Sequence, residues 1–404
     1  MKSRKLKKAT PLTIIFLVVV IDLIGFGIVL PLLPLYAKSY GASPFVIGLL
    51  AISFSVTQLV FNPIWGALSD RIGRRPVLLM SLFGAVVFYA VFGWAPSLFW
   101  LFVARLAAGI FAANISTAMA YIADITTREE RTRGMGLVGA AFAIGFIIGP
   151  ALGGLLSQHS YSLPGYGGAL LSFAAFTLAV VKLPESLIKK SDLAKRRISY
   201  ANVIKPIKDN LRNSQVARPM FVYFLVVLAF SCMQVTFPLF TLEVFNFDVV
   251  ENGYLFAFVG VMAVVFQGGL IGKLAKAFGE GTLAILGTSL SMIGLTLLPL
   301  VRTVHSLVIV MALLGIGSGL NNPTLTSLVS ISADDSQQGS VMGVSRSIST
   351  LARILGPLWG GWAYGALGRN WTYWSAGLFL FAAVLVGWPL IESQKPTLSQ
   401  ESGL

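Results

Sequence analysis

A small set of residues in this chain could do chemistry. Asp22 is a lone carboxylate deep inside a long apolar run. An acid there is costly unless paired, and it can carry a proton through a barrier that rejects ions. Arg105, Arg346 and Arg353 are cations inside other apolar runs. Each needs a carboxylate, freed backbone carbonyls or an anionic ligand. The stretch Gly66-Ala67-Leu68-Ser69-Asp70-Arg71-Ile72-Gly73-Arg74-Arg75 gathers charges of both signs between two apolar runs. Gly145, Gly149 and Gly153 recur every fourth residue, which on a helix makes one smooth face for close packing or sliding. Pro150 frees the carbonyl of Phe146 and can kink that helix. Cys232 is the single cysteine, and His159 and His305 are the only histidines. An intrachain disulfide is therefore impossible and a metal centre is not expected. No nucleophile elbow or phosphate loop appears, so the chain does not read as an enzyme.

The elements that must position these residues follow from composition. Of 404 residues, 56% are apolar and 11% charged, and the mean hydropathy is +0.80. Soluble domains carry roughly 25% charged residues, so a water-soluble protein is excluded. Apolar runs long enough to cross a bilayer fall near 12–36, 45–69, 76–95, 98–122, 134–156 and 165–183. They resume near 218–242, 252–273, 281–301, 305–330, 338–365 and 371–391. The expected architecture is an all-α membrane protein with twelve spans in two pseudo-symmetric six-helix halves. The halves are 1–183 and 218–404, joined by a basic linker at 184–217. The first run contains Asp22, Pro31 and Pro34 and has no convincing cleavage site, so it reads as a span and not a signal peptide.

The net charge of +14 is sorted by side. Most Lys and Arg fall in the N-terminal tail, the linker and alternate loops, which predicts a multi-pass protein with both termini cytoplasmic. The positive charge then needs no nucleic acid and instead faces anionic lipid headgroups. The halves also repeat. Gly149-Pro150-Ala151-Leu152-Gly153-Gly154 returns as Gly356-Pro357-Leu358-Trp359-Gly360-Gly361, and Gly66 and Gly73 have counterparts in Gly272 and Gly279. Two related halves are the layout of carriers that rock around a midplane site.

The charged loop from Gly66 to Arg75 resembles the signature of the major facilitator superfamily. Asp22 to Pro34, Arg105 to Gly109 and Gly145 to Gly154 are similar to motifs of its drug/proton antiporter branch. The runs ALSDRIGRRPVLL and AYIADITTREER resemble bacterial tetracycline/proton antiporters, closely over the first 160 or so residues. The resemblance implies a bacterial inner-membrane secondary transporter, without cofactor, that exports a small amphipathic compound in exchange for protons. It is expected to work as a monomer. Asp22 would carry the proton and Arg105, a direct partner or near one, would tune it. Asp70, Arg71, Arg74, Arg75, Asp124 and Arg131, with Gly66 and Gly73, would form an inner latch reaching the start of span 11 near Ser340. Gly145, Gly149, Pro150, Gly153 and Gly154 would form the sliding helix. In the family's fold spans 1, 4, 7 and 10 line the cavity, which nominates Phe26, Asn114, Gln234, Asn321 and Asn322, with Phe230, Phe237 and Trp362 as apolar walls. Arg353 would either bond carbonyls freed around Gly356-Pro357 or meet an anionic group on the substrate. The pattern departs from tetracycline exporters in the second half. Ala263 stands one turn before Gln267, where the family can have a histidine, and span 9 lacks the family's acid. A carrier of an organic anion or lipid, with Arg353 as the anion contact, is the alternative, and a receptor without flux is a more distant one.

Overall fold

The computed structural model describes residues 2–186, 214–332 and 338–391, with the side chains of 2–10, 128–133, 135 and 338–340 outside that description. The first half comprises α1 (Lys2–Ser39), α2 (Pro44–Ile72), α3 (Arg74–Trp94), α4 (Leu98–Ile110), α5 (Asn114–Ile125), α6 (Arg128–Ser157) and α7 (Leu163–Lys182). The second comprises α8 (Ser214–Phe245), α9 (Val249–Val264), a π-helical turn (Val265–Leu270), α10 (Ile271–Phe278), α11 (Glu280–Leu297), α12 (Val304–Ile331), α13 (Gln338–Ala366) and α14 (Arg369–Gly387). Among the described residues eleven helical stretches are long and apolar enough to span a membrane, with α4–α5 and α9–α10 each counting once. The eleventh expected span, α13, is not among them, because Arg346, Arg353 and a run of serines interrupt its apolar surface. The chain is an all-α, multi-pass membrane protein.

Two of the spans depart from a uniform helix. The predicted span 98–122 is not continuous, since α4 stops at Ile110 and α5 restarts at Asn114. The span over 252–273 contains the π turn around Gln267, a local widening that often accompanies function. Elsewhere helix boundaries follow ordinary capping chemistry. Ser43 accepts from the Val46 N–H, with Pro44 at the first helical position. Thr303 and Ser306 form a reciprocal capping box at α12. Gly73 and Gly279, the repeat partners, take φ of +110° and +79° and join α2 to α3 and α10 to α11. The sequence repeat is thus a repeat of backbone conformation.

Cα packing divides the chain into two compact units, Met1–Ser199 with Gln234–Gly260 and Pro357–Gly365, and Tyr200–Met233 with Val261–Gly356 and Ala366–Leu404. The predicted linker lies, from 187 to 213, outside the described residues. Ile15, Val18, Leu78, Leu82, Tyr121, Ala141 and Ala175 make a core in the first unit, and Val222, Ala284, Leu325 and Ala383 make one in the second. Large apolar side chains such as Phe83, Leu170, Phe173 and Leu378 stay exposed on helix surfaces. In a bilayer these face hydrocarbon.

Candidate functional site

The polar centre of the first half is built by the interruption in span 4. Ser81 of α3 donates to the Phe111 carbonyl and accepts from the Ala113 N–H. Trp65 of α2 donates its indole N–H to the Ile110 carbonyl. These side chains replace helical bonds lost at the break, which is how irregular backbone survives at membrane depth. At Gly109 any Cβ would strike the Phe54 carbonyl and the Thr57 hydroxyl, so the glycine lets α4 approach α2 before the chain turns.

The restart puts Asn114 opposite Asp22. Its amide donates to the Asp22 carboxylate at 2.7 Å, and the residue is only 5% exposed. The Asn114 carbonyl oxygen is buried with no hydrogen-bond partner. The direct Asp22–Arg105 pair is not formed: the break turns Asn114, not Arg105, toward the carboxylate. The Arg105 guanidinium instead lies 4.8 Å from the centre of the Phe54 ring, a cation–π contact, and its Nε is buried without a partner. Tyr89 of α3, 4% exposed, lies within electrostatic reach of both Asp22 and Arg105. The sequence reading passed over Tyr89, whose single polar atom gives no signal in an apolar run. Phe26 is half-buried, with its ring 5.7 Å from Phe54 and 6.2 Å from Phe146, so it walls the same region.

At the end bearing the basic loops, Arg74 pairs with Asp70 at 2.5 Å and with Asp124 at 3.1 Å. Ser69 accepts a further bond from Arg74, and Ser186 donates to Asp124. Glu185, also unforeseen, accepts the backbone N–H groups of Arg74 and Arg75 at 2.9 and 3.2 Å. A carboxylate at a helix N-terminus satisfies orphan donors and complements the dipole. A Cβ on Gly73 would collide with that carboxylate, so the glycine is required by contact as well as by its φ. Arg75 donates to the Val180 carbonyl. Arg71 is exposed, and an added Cβ at Gly66 would meet nothing within 4 Å. The side chains of Arg131 and Ser340 lie outside the described residues.

The glycine faces pack on specific partners. Gly145, Gly149 and Gly153 lie against Leu23, Gly27 and Ile28 of α1, with a Cβ on Gly149 falling 2.6 Å from the Gly27 Cα. Gly356 packs in the same way on Leu228, Ser231 and Cys232 of α8. The next face of each motif meets a different helix. Pro150 and Gly154 approach Val250 and Gly253 of α9, while Pro357 and Gly361 approach Pro44 and Gly48 of α2. Gly48 and Gly253 were missed. Their signal is a glycine shortly after the start of the second span in each half, at nearly the displacement of the other repeats.

In the second half, Asn321 is 2% exposed and accepts from Thr288 of α11 at 3.1 Å. It is a packing residue between α11 and α12 and not a cavity residue, because the helices approach closely at Gly287 and Gly317. Its neighbour Asn322 is exposed and lines a cavity of about 440 Å³ with Gln267, Pro323, Thr326, Ser327, Ser330 and Met342. Gln234 and Phe230 are half-buried. Phe237 is fully buried against Phe256, so it belongs to the core and not to a cavity wall. Trp362 is 43% exposed beside Trp359. Arg353 is exposed and bonds no freed carbonyl among the described residues. The carbonyl-bonding expectation fails, and the Pro357 carbonyl instead faces Gly48.

The chain is similar to known proteins over nearly its whole length. The family model described as Major Facilitator Superfamily matches residues 15–357 and 270–403. The class H tetracycline resistance protein of Pasteurella multocida is 32% identical, covering 94% of each chain. Human Major facilitator superfamily domain-containing protein 10 is 30% identical, covering 93% of this chain and 92% of its own. The crystal structure of that human organic anion transporter superposes with a TM-score of 0.72 at 26% identity, over 94% of this chain and 99% of that one. A crystal structure of the nucleoside transporter NupG reaches 0.78 at 14% identity, over 95% and 100%, a likeness of fold alone.

Proposed function

The chain belongs to the Major Facilitator Superfamily and is a transporter, and on that footing we propose that it exports a small amphipathic compound in exchange for protons by alternating access. The observation that carries the reading is the Asp22–Asn114 contact at the broken fourth span. A carboxylate held by a cation must break an ion pair to accept a proton. One held by an amide need not. Asn114 can donate to the ionised carboxylate through its NH₂ and accept from the neutral acid through its carbonyl oxygen, and that oxygen has no other partner. Arg105, which like Asp22 lies within electrostatic reach of Tyr89, supplies a positive potential beside that centre. Substrate arriving beside Phe26 changes how far that potential reaches.

The remaining assignments follow the same reading. The protein resides in a bacterial inner membrane with both termini cytoplasmic, in contact with anionic headgroups, and acts as a monomer. Asp70 is the inner latch: when the basic ends of the halves meet, it exchanges Arg74 for the N-terminus of α13. The glycine contacts at the opposite ends part as that latch closes. The likeness to tetracycline resistance proteins supports the choice of an amphipathic cargo. The test uses purified protein in liposomes with an internal pH dye and a panel of cationic, neutral and anionic compounds. Substrate-triggered proton movement is expected in the wild type and absent in Asp22→Asn. Proton movement that persists in Asp22→Asn overturns the carrier assignment, and flux without any proton movement overturns antiport.

A further inference from the structure

The helix α13 has three faces of different character. Leu351, Leu355 and Trp362 are exposed and apolar, as a lipid face should be. Ala352 is buried, and Gly356 packs on α8. At 100° per residue, Met342, Arg346, Thr350 and Arg353 share the third face within an arc of roughly 80°. Both arginines are exposed. A guanidinium facing lipid at mid-span costs about 2.5–3.5 kcal/mol on insertion scales, so a face carrying two of them is a wet face. Arg353 has neither a hydrogen-bond nor an ion-pair partner among the described residues. The face also leads into a cavity, because Met342 is one of the residues lining the space of about 440 Å³ beside Gln267, Asn322 and Thr326. Those neighbours are neutral amide and hydroxyl groups, and the π turn presents Gln267 to them. The acid beside this space, Glu280, stands behind Ser327 and is bonded to it at 2.8 Å.

We infer that this face is an anion subsite, with Arg353 taking a carboxylate or sulfonate and the amide–hydroxyl cavity taking an uncharged polar end, so that the cargo is an amphipathic organic acid. The inference rests on the transport reading but not on proton coupling. Arg353 offers a planar fork that matches a carboxylate.

The test measures equilibrium binding by the full-length protein in nanodiscs, without any gradient, using 6-hydroxy-2-naphthylacetate and the uncharged 6-hydroxy-2-naphthylacetamide. The acid is expected to bind at least tenfold more tightly than the amide. Arg353→Gln should bring the acid down to the amide's affinity and leave amide binding unchanged, whereas Asn322→Ala should weaken both. If Arg353→Gln loses both probes, Arg353→Lys, which keeps the charge, must still prefer the acid for the proposal to stand. Equal wild-type binding of the two probes, no binding of the acid, or acid preference surviving in Arg353→Gln overturns it. Failure of proton coupling would appear only in the liposome assay and would leave this preference intact.

Discussion

Asn114 and Tyr89 surround Asp22 with neutral groups, which changes what substitutions there should do. Asn114→Ala removes the donor at 2.7 Å and leaves a carboxylate in low dielectric without its hydrogen bond, a loss of about 1.5–3 kcal/mol for a charged group. Substrate-driven proton flux, read with an internal dye, should fall at least tenfold while the protein still assembles. Tyr89→Phe keeps the ring that packs on Gly25 and deletes only the hydroxyl near both charges. It should slow proton movement more than it weakens substrate binding. Asp22 and Arg105 were legible in the sequence because charge is rare in apolar runs. Their separation was not, because a pair looks reasonable when span 4 is drawn as one helix. Asn114 appeared there only as one polar residue among several, and Tyr89 not at all.

The break that makes this arrangement has no signature of its own, since Phe111-Ala112-Ala113 reads as ordinary helix. It is imposed by Ser81 and Trp65 from neighbouring helices, an effect of tertiary packing over local preference. Ser81→Ala should therefore cost about 1–3 kcal/mol, seen as a lower thermal midpoint of the purified protein, and should reduce transport through misplacement of Asn114. The smooth motif on α6 was legible as a face but not as two faces. One packs on α1 within its own half and the other meets α9 at Gly253. Gly253→Leu at that second seam should leave expression and the fold of each half intact while cutting flux to near background. Gly27→Leu, at the first seam, should fail to assemble.

The repeat extends these contacts to the whole molecule. The seam of α6 on α9 has its counterpart in α13 on α2, with Gly154 and Gly361 in matching positions. The all-α multi-pass layout, the repeat and the family were legible because membrane thickness and loop charge impose strong patterns. Which glycines oppose which was not, because close approach depends on how helices are arranged in space. Cys232 is fully buried, so it should resist maleimide in liposomes, and Cys232→Ser should provide a cysteine-free background with normal transport. In that background, oxidising the pair Pro44→Cys and Gly361→Cys should stop flux, and reductant should restore it. Full transport by the cross-linked protein would show that this seam never parts. Backbone meets backbone at both seams, so parting must open a narrow slot. A flat compound filling that slot would arrest the cycle without competing with cargo. Its inhibition would lower the maximal rate, leave KM unchanged and persist however much cargo is added.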